Sequence, residues 1–248
     1  MNGSSHRADV AYQALRRAII EQALPPGTRL PEDEIGVHFG MSRTLVRAIL
    51  MRLESQGLVE TRPKRTATVA QPTLKEAKEV FGVRRVLERE LVRQVAEKWE
   101  PHFGAELEGH IRAEEAARAA GEGRVSIRLA GEFHTALAAR AGNALLERYV
   151  GELVCRCSLI LATYGRPHSS DCAVAEHRDI VGALRRRDAE SAVALMDVHV
   201  AAVEERALLG QEAAGKPDLK TVLAHYAETG TARPGTVQFR KATGKRKG

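Results

Sequence analysis

Aromatic residues make up only 4% of the 248 positions, and the chain carries just three cysteines. With few aromatics, Ala, Leu and Val must supply the core, a composition that leans towards helix. An odd, small set of cysteines cannot close a disulfide framework and points to reduced thiols in a cytoplasmic setting. Cys155 and Cys157 are spaced C-x-C, which on a helix sends them to different faces, so a shared metal is not expected. No apolar run approaches the roughly 18 residues of a membrane helix, and the N-terminus lacks an apolar signal core. The sequence therefore predicts a soluble, cytoplasmic protein with no membrane partner. The H-E-x-x-H pattern of zinc hydrolases is missing too, and past residue 73 no stretch alternates as strands do.

What the chain does have is apolar content of 44%, ordinary for packed domains, and a net charge of +6. That charge gathers at the ends. Residues 1–70 hold ten Lys/Arg against seven Asp/Glu, and residues 211–248 hold eight against three, around a slightly acidic body. Basic ends suggest a nucleic-acid partner, although charge alone equally describes a solvated surface.

Residues 8–22 read as an amphipathic helix stopped by "LPPGTRL". A short helix follows in "PEDEIGVHF", then the tight turn "GMS", then the helix "RTLVRAILMRLESQ" with Ser42 placed to cap it. Two β-rich runs, "LVETR" and "ATVAQ", flank "PKRT" and read as a hairpin. Three helices and a hairpin in about 70 residues are the order of a winged helix-turn-helix. In the third helix Val46, Ile49, Leu50 and Leu53 form the core face. Arg43, Thr44 and Arg47 lie opposite, at the end that enters a major groove, where arginine can fork onto guanine or clamp phosphate. Lys64 and Arg65 sit at the wing tip, suited to phosphate or minor-groove contact. Two arginines at a helix start oppose its macrodipole, and such conflicts with stability tend to mark functional positions.

After a linker at 71–73, helices are expected near 74–99, 102–120, 124–141, 143–164, 171–187 and 188–209, with Asn143 capping the fourth. Residues 210–248 read as a basic, disordered tail with room for a short helix at "LKTVLAHYAE". Three of the helices turn an imidazole into an apolar face. His134 shares one with Ala130, Phe133 and Leu137; His177 with Val174, Ile180 and Leu184; His199 with Ala192, Met196 and Val203. If the last two helices form a hairpin at Asp188, His177 and His199 are each eleven residues from it, roughly 16 Å along the axis, and face each other. A dry core does not leave three imidazoles unpaired cheaply, and a divalent metal satisfies all three nitrogens. Neutral imidazoles suit zinc, nickel or another borderline ion. Glu176 adjoins His177 but is expected to point elsewhere. Arg84 and Glu88, at i,i+4, could pair on the opening helix, in the simplest case as a surface ion pair.

Two resemblances follow from these residues. "PGTRL", Glu32, "GMSRT", "RLESQGLV" and the basic wing resemble the DNA-binding domain of GntR-type bacterial regulators, with Thr66 where a wing glycine is usual. "VRRVLE", "FHTALAARAGN" and "EHRDIVGALRRRDAESAVALMDVH" resemble the FCD class of those regulators. The fold expected is mainly α: an N-terminal winged helix-turn-helix plus a C-terminal all-α antiparallel bundle. The resemblance implies a ligand-responsive regulator, expected to act as a repressor, whose bundle binds a small organic acid. It also implies that Arg84 points into the cavity and helps hold the effector with His134, His177 and His199. Metal-binding members add a carboxylate four residues before the first histidine, where this chain has Ala130. Three readings stay open at this point: a three-His metal completed by water or effector, weak metal binding, or imidazoles that bind an anion directly. A homodimer on a palindromic double-stranded operator is the geometric expectation. The rivals are a metal-dependent hydrolase and a DNA-binding protein with an inert bundle.

Overall fold

The computed structural model describes residues 3–165, 173–208 and 219–229. Cys172, the break expected at 166–170, and the tail apart from 219–229 lie outside the described residues. The chain opens with α1 (Gly3–Ile20), β1 (Arg29–Leu30), α2 (Glu32–Phe39), α3 (Arg43–Ser55), β2 (Val59–Glu60) and β3 (Ala67–Val69). The expected hairpin forms between β2 and β3, and β1 adds to its other side to give the antiparallel order β1-β3-β2. β1 was not anticipated from the sequence: two residues show no alternation, and only the register Arg29↔Thr68, Leu30↔Ala67 makes them a strand.

The turn between α2 and α3 is tightly built. Gly40 closes α2 with φ 62, a left-handed conformation natural to glycine. The Met41 amide donates to the Gly36 carbonyl at 2.8 Å, folding the turn back over α2. The Leu45 amide then donates to Ser42 Oγ at 3.4 Å, capping α3. Val46, Ile49, Leu50 and Leu53 are buried as expected, against Ala11, Leu15 and Ile19 of α1.

The second unit is all helical: α4 (Leu74–Glu97), α5 (Pro101–Ala119), α6 (Gly123–Arg140), α7 (Ala144–Tyr164), α8 (Ala173–Arg185) and α9 (Ala189–Leu208). A reciprocal capping box between Thr73 and Glu76 starts α4, and Asn143 caps α7 by accepting from the Leu146 amide at 3.1 Å. Helix α4 packs on α9, α5 on α6 and α8, and α8 on α9, around Phe81, Leu91, Leu107, Ile111, Phe133 and Met196. Helix α7 joins the units. Cys155 and Leu159 belong to the core of the winged head, whereas Cys157 and Ile160 belong to that of the bundle, so the two thiols do face different ways. The last element, α10 (Leu219–Thr229), forms where the short tail helix was expected and lies against the head. No described helix is long and apolar enough to cross a membrane.

The helix-turn-helix depends on Gly36. A Cβ there would come within 2.9 Å of the Met41 carbonyl oxygen, a backbone atom that cannot swing away. Gly36→Ala is therefore expected to destabilise the head by about 1–3 kcal/mol. Thermal unfolding followed by circular dichroism should show an earlier transition; an unchanged curve would refute the close approach.

Candidate functional site

Helices α6, α8 and α9 bring His134, His177 and His199 together in the bundle core, each at most 2% exposed. The ring centroids of His134 and His199 lie 5.1 Å apart, those of His177 and His199 4.8 Å, and those of His134 and His177 5.4 Å. His177 and His199 do face each other across the α8–α9 hairpin. Phe133 stacks on the His177 ring at 3.9 Å and closes that side of the cluster. One nitrogen from each ring lies within 4.8 Å of the others.

Behind each imidazole stands a carboxylate. His134 Nδ1 bonds Glu88 of α4, His177 Nδ1 lies 3.0 Å from Glu114 Oε2 of α5, and His199 Nδ1 lies 2.6 Å from Glu176 Oε2 of α8. An imidazole that donates Nδ1–H to a carboxylate keeps a lone pair on Nε2, so the pairing selects the tautomer. The Nε2 atoms then converge: those of His134 and His199 are 3.1 Å apart, and the buried Nε2 of His177 has no hydrogen-bond partner among the described residues. Protonation is a poor remedy. Burial dominates and pushes His134 down to about 3 and His199 down to about 4, even with their carboxylates in place. A divalent cation fits the donor set, since tetrahedral zinc with Zn–N of about 2.0–2.1 Å separates its nitrogens by about 3.3 Å.

Glu88 and Glu176 behave as anions despite their setting. Burial works to raise the Glu88 carboxyl, but Arg84 and His134 overcome it and hold it well below the usual range. Burial likewise opposes Glu176, yet bonds from His199 and Arg206 take it down to about 2. One expectation needs correcting here. Glu176 does not point away from the site: one residue turns a helix by about 100°, which aims Glu176 at α9 while His177 faces the core. Arg84 and Glu88 pair inside the bundle, with side chains 4% and 0% exposed, which removes the reading of a surface ion pair. Arg84 Nη1 also donates to Cys157 Sγ at 3.1 Å. Glu132, two residues and so about 200° of helical turn from His134, pairs instead with Arg128 at 2.7 Å. Glu88 and Glu114 were missed, although each interrupts an apolar stripe as the histidines do: Phe81, Arg84, Glu88, Leu91 on α4 and Leu107, Ile111, Glu114, Ala117 on α5. A cleft of about 570 Å³ lies elsewhere, between head and bundle, lined among others by Arg16, Arg52, Glu147, Arg148 and Cys155.

At the other end of the molecule α3 presents its first turn to solvent. Arg43 donates to Asp33 at 2.8 Å, and Arg47 Nε donates to both oxygens of Glu32 at 2.8 and 2.9 Å. The carboxylates of α2 thus relieve the macrodipole conflict that the two arginines create. Thr44, Lys64 and Arg65 are exposed, and Ser42 holds the helix start with its own hydroxyl. Thr66, where a wing glycine is usual, receives a bond from Arg29 Nη2 at 3.2 Å, and the left-handed residue of the wing is Lys64, with φ 61.

Residues 7–69 match the model for bacterial regulatory proteins of the gntR family, and residues 79–202 match the FCD domain. The chain is 32% identical over 199 residues to a probable D-xylose utilization operon transcriptional repressor of Paenarthrobacter nicotinovorans, covering 79% of this chain and 88% of the relative. It is 25% identical over 195 residues to the HTH-type transcriptional repressor RspR of Escherichia coli (strain K12), covering 78% and 86%. Among solved structures, E. coli McbR/YncC superposes with a TM-score of 0.70 at 23% identity, over 79% of this chain and 93% of that one. A putative GntR regulator from Rhodococcus sp. RHA1 superposes with a TM-score of 0.71 at 23% identity, over 82% and 97%. The fold is the same in both. With a gntR-type head followed by an FCD bundle in one chain, this protein belongs to the GntR family of bacterial DNA-binding transcription regulators, in its FCD class.

Proposed function

We propose that this regulator is a cytoplasmic, ligand-responsive homodimer acting as a repressor, and that its bundle holds a divalent metal between His134, His177 and His199. One observation carries the reading: three buried Nε2 atoms converge while each Nδ1 is tied to a carboxylate. Zinc and nickel both suit three neutral imidazoles. When bound, the metal supplies a Lewis-acidic centre. With Ala130 four residues before His134, the chain offers no fourth ligand on α6, which leaves a position for the carboxylate of a small organic acid. Arg84, whose Nε stays on Glu88, would help hold that effector. The relative's D-xylose operon makes a sugar-derived acid the first effector class to test.

Ser42, Arg43, Thr44, Arg47, Lys64 and Arg65 form the DNA face of a head comprising residues 1–70, joined through 71–73 to a bundle comprising 74–209 and a basic tail from 210. One recognition helix spans only a few base pairs, so two heads on a palindromic operator are needed. Val83 and Val86, on the outer side of α4 and 50% and 64% exposed, offer apolar surface for the second protomer. The hydrolase reading is weaker. A general base would have to be a carboxylate near the metal, and Glu88, Glu114 and Glu176 are each committed to an imidazole.

On the operator the arginines exchange Asp33 and Glu32 for phosphate and base edges. Arg43→Ala or Arg47→Ala is expected to cost about 1–3 kcal/mol of specific binding in a gel-shift titration, with bundle unfolding unchanged. Unaltered operator affinity would overturn the assignment of α3. Protein reconstituted with zinc or nickel and desalted should retain one metal per chain by elemental analysis, and His177→Ala with His199→Ala should retain none. Glu114→Ala should weaken retention roughly 10–100-fold, because the imidazole loses the acceptor that orients it. Native protein that retains no metal would end the metal reading and leave the DNA reading standing.

A further inference from the structure

Helix α10 lies outside both matched segments, which end at residues 69 and 202. It nevertheless packs on α1 and α2 of the head. Leu219, Leu223 and Tyr226, at helical spacing, are 7%, 1% and 3% exposed within the head core. Eleven residues are too few for a stable helix in water, so α10 owes its shape to this docking.

The contact centres on a buried carboxylate. Glu21, just past the end of α1, is 2% exposed. Its carboxylate receives Arg17 Nε of α1 at 2.8 Å, Arg128 Nε of α6 at 2.8 Å, and the Tyr226 hydroxyl of α10. The Arg17 guanidinium also lies over the Tyr226 ring, 5.4 Å from its centroid. Head, bundle and C-terminal helix therefore meet on one anion. Arg128 sits on the helix that carries His134, six residues or ~9 Å earlier along its axis. Neither α10 nor the Glu21 joint covers the DNA face, since Arg43 and Arg47 remain 66% and 63% exposed.

We propose that α10 is an intramolecular latch, closed through Glu21, that fixes the winged head against the bundle and thereby sets the half-site spacing the operator must have. With the latch closed the head is held by the linker, by its packing on α7, by the Arg128 bond and by α10. With it open the head keeps fewer restraints and accepts more than one spacing. The consequence for spacing rests on the dimer reading above; the latch itself does not.

Full-length protein should be compared with Leu223→Ser/Tyr226→Ala, with Tyr226→Phe, which removes only the hydroxyl bond, and with Arg128→Ala. In hydrogen exchange the double variant should raise exchange at least tenfold in residues 11–24 of the head and in residues 123–132 of α6, with residues 177–199 unchanged. Tyr226→Phe should give a smaller rise in the same segments. Arg128→Ala, made on the bundle, should speed exchange in α10, because the two share Glu21. Exchange confined to α10 in the double variant, or an α10 indifferent to Arg128→Ala, would make the helix a passenger and overturn the latch. In gel shifts on palindromes whose half-sites differ by one or two base pairs, native protein should prefer one spacing at least tenfold, and the double variant less than threefold. Native-like preference in a variant whose head exchanges freely also overturns the proposal. A native protein without any preference overturns its spacing half and the dimer reading, and the exchange result alone then decides the latch.

Discussion

The bundle is organised by three hydrogen bonds from imidazole Nδ1 to carboxylate. A neutral histidine in a core can turn either nitrogen inward, and an isolated one turns to whichever group is near. Here Glu88, Glu114 and Glu176 remove the choice, each taking an Nδ1 and leaving Nε2 facing the centre. Those acids come from α4, α5 and α8, and the rings they orient come from α6, α8 and α9. The site therefore requires most of the bundle to be assembled before its geometry exists. Arg84 completes the balance, since Glu88 could not stay ionised in that environment without a cation at its other oxygen.

A related logic operates at the DNA end, with the opposite degree of burial. Arg43 and Arg47 oppose the dipole of their own helix, and Asp33 and Glu32 offset the cost from α2. These pairs are solvent-exposed, so they hold the arginines in place weakly. Phosphates, with higher charge density and no competing helix, can displace the carboxylates. Deep ion pairs in the bundle make a permanent framework, whereas shallow ones on the head make exchangeable contacts. The same residue chemistry serves both uses because solvent screens one set and not the other.

Much of this was legible beforehand. Every helix of head and bundle lies within two residues of where hydrophobic period, caps and breakers put it, except α1, which begins at Gly3 instead of residue 8, and the FCD and GntR resemblances were carried by motifs that the comparisons support. The three histidines were found because each breaks an apolar stripe. Glu88 and Glu114 break theirs in the same way, yet a glutamate in a stripe is readily taken for an edge residue whose long side chain reaches water. Glu176 was misjudged because a helix wheel describes one helix and says nothing of a neighbour flanking its second face. β1 could not be read from two residues, and α10 was anticipated as a helix without any sign of what it docks on.

The sequence by itself determined the helices, their caps, the winged head and the inward histidines, since each follows from the period, end groups and backbone freedom of a short local stretch. Tertiary structure alone decided which acid meets which imidazole, that the Arg84–Glu88 pair is interior, that Cys155 and Cys157 serve different cores, and that the C-terminal helix returns to Glu21 of the head. The acid–imidazole bonds and the Tyr226–Glu21 bond join residues from 23 to 205 positions apart. Their energies depend on burial and direction, which no local pattern of side chains specifies.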